Sequence, residues 1–144
     1  MEVTDRHVAR IPPGNLRVPR AEFVAVWRAA EQLNQESGAR GEPDWYAGAV
    51  AVTCRWLAAT TVRRYNGRIH IAAAPVTRRE VRAYEELIEA EALAADNLAL
   101  RTPRLLTSRP GWCEGIRATL AWAWRHEGPP PLPVTVTSAH SSPT

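Results

Sequence analysis

Pro43-Asp44-Trp45-Tyr46-Ala47-Gly48 and Pro110-Gly111-Trp112-Cys113-Glu114-Gly115 share the pattern P-x-W-x-x-G, and each stands where a helix is expected to begin. In each, the Trp would anchor the helix entry. The Gly one turn later would let a neighbouring backbone come close. Outward from the first motif, Asp44 is the expected N-cap of a helix over 45–65. Its apolar stripe is Trp45, Ala49, Val52, Trp56 and Ala59, and Asn66-Gly67 ends it. Upstream, Phe23, Val26, Trp27, Ala30 and Leu33 recur at helical spacing through 20–37, and Gly38 closes that segment.

Downstream, Arg68-Ile69-His70-Ile71 alternates like a short extended piece before Pro75. Thr77-Arg78-Arg79-Glu80 then has the T-x-x-E form of a capping box, with Val76 and Val81 as its staple, and predicts a helix from Thr77 to the Thr102-Pro103 boundary. Its stripe is Val81, Tyr84, Leu87, Ile88, Ala95 and Leu98. The second motif opens a last helix over 110–128, with Trp112, Ile116, Leu120 and Trp124 on one face and Trp122 beside them.

These stripes predict an all-α four-helix bundle. If the repeated motif marks a duplicated helix–loop–helix, units 20–65 and 77–127 are related by pseudo-twofold symmetry. Chance agreement at three positions is the competing account. The helical domain is expected over 20–128. Before it, 1–19 reads as an irregular, flexible N-terminal arm, because Ile11-Pro12-Pro13-Gly14-Asn15 excludes helix. After it, 129–144 is a Pro/Ser/Thr-rich tail, polyproline-like and then mobile.

The chain has 144 residues, 45% of them apolar, which suits one globular domain. All eighteen basic residues are Arg, so any mechanism needing a lysine is excluded: a Schiff base, a P-loop lysine or a Ser–Lys pair. Lysine-free, Ala-rich usage points to a GC-rich bacterial genome. Six Trp against one Phe and three Tyr assign much of the large-residue packing to indoles, whose N–H groups want partners when buried. The net charge of +3 is mildly basic, and two cysteines are too few for a disulfide framework. Met1–Arg10 lacks the apolar core of a signal peptide and no apolar run spans a bilayer, so a cytoplasmic location without membrane insertion is expected.

The expected chemistry is sparse. His7, His70, His126 and His140 are scattered with no metal-ligand spacing, and neither metal nor cofactor is expected. Cys113, in the first turn of a helix, is the one candidate nucleophile and supports a thiol-dependent enzyme as a distant alternative. The acidic run from Glu85 to Asp96 reads as a solvated face laced with Arg. Arg63, Arg64 and Arg68 close one predicted helix, and Arg78, Arg79 and Arg82 open the next. Folded together, they would form a patch for phosphates or an acidic protein face.

The leading expectation is a non-enzymatic protein–protein interaction or accessory module that contacts another protein or itself. It could be the antitoxin-like member of a bacterial two-protein system. Trp112, Trp122 and Trp124 would join the arginines at the interface, one of the last two staying on the bundle surface. The runner-up is nucleic-acid binding through the arginines, and the acidic turn of the third helix weighs against it.

Overall fold

In the computed structural model, which describes residues 1–134, the chain is mostly helical, with one small two-stranded sheet. In chain order the elements are α1 (Asp5–Ala9), a 3-10 turn (Pro13–Asn15), α2 (Arg20–Ala39) and α3 (Trp45–Leu57). Then come β1 (Thr61–Arg63), β2 (Ile69–Ile71), α4 (Glu85–Arg101), α5 (Leu105–Ser108) and α6 (Trp112–Ala123). Helix α3 packs on α2 and α6, and α6 packs on α3 and α4. The core lies between them, built on Phe23, Trp27, Trp56, Ile88, Ile116 and Leu120.

Local chemistry sets several boundaries as read from the sequence. Asp44 caps α3 by accepting the Ala47 amide at 2.9 Å. Helix α2 starts at Arg20 as expected but runs through Gly38, the expected stop, to Ala39, and α4 ends ahead of Thr102-Pro103.

Three expectations are corrected. The helix beginning at Asp44 stops at Leu57, with Ala59 at φ 54°, because the β-branched Thr61-Val62 run pairs with Ile69-His70-Ile71 instead. Asn66-Gly67 is therefore the turn of a hairpin in the register Thr61↔Ile71, Val62↔His70 and Arg63↔Ile69, and the protein is not all-α.

The helix expected from Thr77 starts at Glu85, and Arg78 takes φ 64°. The Val76 and Thr77 amides donate not to a local cap but to the buried Glu91 of α4, at 2.8 and 3.2 Å. Glu80, the intended partner in the box, pairs with Arg64 and His70. Trp56 Nε1 donates to the Val81 carbonyl at 2.9 Å, and Asn15 Nδ2 to the Ala83 carbonyl at 3.2 Å. Tertiary partners thus claim polar groups that a helix here would have needed.

The N-terminal arm is packed. Thr4 and His7 form a reciprocal cap on α1, and Val3, Ile11 and Val18 enter the core. Asn15, also buried, donates to the Leu57 carbonyl at 2.9 Å, and the Arg17 amide to the Ala123 carbonyl at 2.7 Å. The proline segment folds back too: Tyr46 Oη donates to the Pro131 carbonyl at 2.7 Å and Leu132 is buried. The mobile end expected after it falls on 135–144, outside the described residues.

Candidate functional site

The two P-x-W-x-x-G motifs meet. A Cβ built on Gly115 would lie 2.7 Å from the Tyr46 carbonyl oxygen and 2.8 Å from Ala49 Cβ, so α6 can approach α3 this closely only with glycine there. Gly111, at φ 95°, faces Tyr46 in the same way. Across the junction the Trp45 and Trp112 rings stand edge to face, with centroids 6.3 Å apart. The Arg109 guanidinium lies over both, 5.2 Å from the Trp45 ring centre and 5.5 Å from that of Trp112. Both indoles are half-buried and Arg109 is exposed, so this corner presents aromatic and cationic surface together.

The other expected aromatic contacts go inside. Trp122 is buried and stacks on Phe23, with centroids 6.5 Å apart. Trp124 is buried as well, with its Nε1 donating to Glu89 at 2.8 Å and the Arg17 guanidinium over its ring. The expectation that one of these two indoles stays on the surface is overturned, because the opposing faces of α2 and α4 cover both sides of the end of α6. Trp45 takes that place, as the partner of Trp112 across the motif junction.

The arginines converge in part. An ion pair between Arg64 and Glu80 ties the hairpin to the segment carrying Arg78, Arg79 and Arg82. Arg63 donates to the Gly67 carbonyl at 3.1 Å, and Arg68 sits across the turn, its carbonyl accepting from the Arg64 amide. Arg64 is therefore ion-paired to Glu80. Among the described residues, Arg63, Arg68, Arg78, Arg79 and Arg82 have no carboxylate within salt-bridge distance.

Arg78 is exposed as a residue, but its head group is partly desolvated beside Val52 and Ala73. That desolvation, with the nearby Arg109 charge, pulls its pKa below the ordinary arginine value. The Glu91 carboxylate opposes that shift without reversing it. Sequence reasoning missed Arg109; its place two residues before Gly111 in the second motif was the available signal.

Enzymatic features are weak by comparison. Cys113 is buried, and burial pushes its thiol above its ordinary pKa, opposite to the shift that activates a thiolate. Cys54 lies fully inside the core and is pushed up further. Among the described residues no three His, Cys, Asp or Glu side chains gather as metal ligands.

The buried carboxylates are bound in structural roles. Glu31 takes a bidentate contact from Arg55, at 2.6 Å to each oxygen, the Trp27 indole N–H at 3.0 Å and the Met1 amino group at 3.3 Å. A broad open trough of about 870 Å³ on the outer side of α2, floored by Val24, Ala25 and Ala29, carries no nucleophile and base together. No helix among the described residues is long and apolar enough to cross a membrane.

Compared with family models, curated proteins and solved structures, the chain matches none of them.

Proposed function

We propose that this protein is a non-catalytic interaction module whose partner docks on the corner formed by Trp45, Arg109 and Trp112. The observation that carries the reading is the exposed Arg109 guanidinium layered over two half-buried indoles. Trp and Arg are the residue types that dominate binding energy at protein interfaces, and a guanidinium held over aromatic rings pairs well with a carboxylate. The expected partner is thus a protein with an acidic, partly apolar face, as in the antitoxin-like pairing. A duplicated helix–loop–helix fits the same corner, since the helix order α2–α3–α6–α4 sets the two motifs against each other at its centre.

The experiment is co-purification with a tagged chain from its native host, comparing wild type with R109E and with W45A/W112A. Retention of one defined partner by wild type, and its loss in both variants with the helical circular-dichroism signal intact, supports the reading. A wild-type chain that carries no partner overturns it.

A second reading, nucleic-acid binding, is favoured by Arg63, Arg68, Arg79 and Arg82 at the hairpin, which among the described residues have no carboxylate within salt-bridge distance. It expects affinity that falls steeply with salt and weakens uniformly across sequences in R79A and R82A. No gel shift at low salt ends it. Cys113 adds no support to a thiol enzyme, given the direction of its shift.

A further inference from the structure

Helix α4 has two apolar faces, and the chain uses one. Ile88, Glu91, Ala92 and Ala95 face inward. On the outer side, Ala90, Leu93, Asn97 and Leu100 follow one another at alternating steps of three and four, the spacing of a helix–helix seam. Leu93 is 55% exposed and Leu100 80%, and Leu106 of the adjoining α5 is 56% exposed. A lone polar residue such as Asn97 within such a seam fixes register at some cost in stability.

Charge runs along the same helix. Glu85 and Glu86 open it, Arg101 closes it and Arg104 follows. Among the described residues, Glu86, Arg101 and Arg104 have no ion-pair partner, and the nearest cation to Glu85 is Arg17 at 4.0 Å. A rod that is acidic at one end and basic at the other complements itself only head to tail. A parallel copy would set glutamate on glutamate and arginine on arginine.

We propose that the outer face of α4 is a homodimer interface, occupied by a second copy of this chain running antiparallel about a twofold axis near Asn97. Leu93 of each copy packs on Leu100 of the other, and Glu86 of each faces the Arg101–Arg104 end of the other. Such a contact is isologous and closes on itself. It covers only about three turns of helix, which suits a reversible dimer rather than an obligate one. It is separate from the Trp45–Arg109–Trp112 corner and does not rest on that reading.

The test is sedimentation velocity of the full chain from sub-micromolar to several hundred micromolar protein. The expected result is a monomer passing to a dimer with concentration. L93E and L100E, both at exposed positions, should each raise the dimer dissociation constant by at least ~100-fold with unchanged circular dichroism. R104E should weaken the dimer, and E86R/R104E should recover most of the loss.

Orientation is read by oxidative cross-linking. N97C near the axis links to itself, whereas L100C alone does not, and a mixture of L93C and L100C chains does. A wild-type chain that stays monomeric throughout overturns the proposal. So does self-linking of L93C and L100C as readily as N97C, or a chain that is monomeric alone and uses Leu93 only to hold a different protein.

Discussion

Arg55 reaches Glu31 across the α2–α3 interface with both oxygens engaged. Burial by itself would raise the Glu31 pKa. The Arg55 hydrogen bonds and charge, with smaller help from the Met1 amino group and the Trp27 indole, outweigh it and hold the carboxyl below its ordinary 4.5. A carboxyl depressed on folding stabilises the fold fully above its unfolded pKa, and that contribution disappears as pH falls through the lower folded value. Urea midpoints taken at about pH 6 and about pH 3 should thus fall less in E31Q than in wild type. R55A leaves the buried acid with only the Trp27 indole N–H and the Met1 amino group, and should cost about 3 kcal/mol at neutral pH by urea denaturation.

Glycine offers a matched pair of tests. G115A drives a methyl into the Tyr46 carbonyl and should lose about 1–3 kcal/mol, because overpacking here moves backbone. In G38A the new methyl meets nothing within 4 Å, so replacing a helical glycine should be neutral or stabilising by about 0.5–1 kcal/mol in the same assay.

Among the elements, the segment before α4 is the most informative. Glu91 organises it by collecting the Val76 and Thr77 amides. E91L should speed hydrogen exchange at those two amides well beyond any change in α2, measured residue by residue by NMR. Equal protection in wild type and variant would contradict the assignment.

Where a boundary depends on nearest neighbours, the sequence was readable. Asp44 caps its own helix, the apolar stripe of α2 is continuous, and α4 ends ahead of Thr102-Pro103. It was unreadable where distant groups compete for the same backbone. The T-x-x-E box beginning at Thr77 is intact as a string, yet Glu91, Trp56 and Asn15 take the amides and carbonyls around it. The hairpin is a different failure, since Asn66-Gly67 between alternating residues carries a hairpin signal as strong as its reading as a helix stop. The arm was misjudged because its prolines speak only against helix. Val3, Ile11 and Val18 needed a core to meet, and no local pattern announces one.

For the molecule as a whole, the candidate site was half legible. The repeated motif pointed to Trp112 and to a close helix approach, and the fold brings both motifs to one corner. That Trp122 and Trp124 are covered while Trp45 is only half-buried depends on how α2 and α4 close over the end of α6, which no single stripe encodes. The six indoles therefore divide into two half-exposed rings and four buried ones, Trp27, Trp56, Trp122 and Trp124. Acrylamide should quench a fraction of the native emission that is largely removed in W45F/W112F. An accessible fraction that persists in that variant would mean the rings are differently placed.

Tyr46 makes two contacts on opposite sides. Its carbonyl is the surface on which Gly115 rests, and its hydroxyl holds Pro131. A single residue, through its backbone carbonyl on one side and its phenol on the other, therefore yokes the chain's proline strap to the α3–α6 contact. A load on that strap would therefore be felt first at the α3–α6 contact, through the one hydrogen bond that joins them.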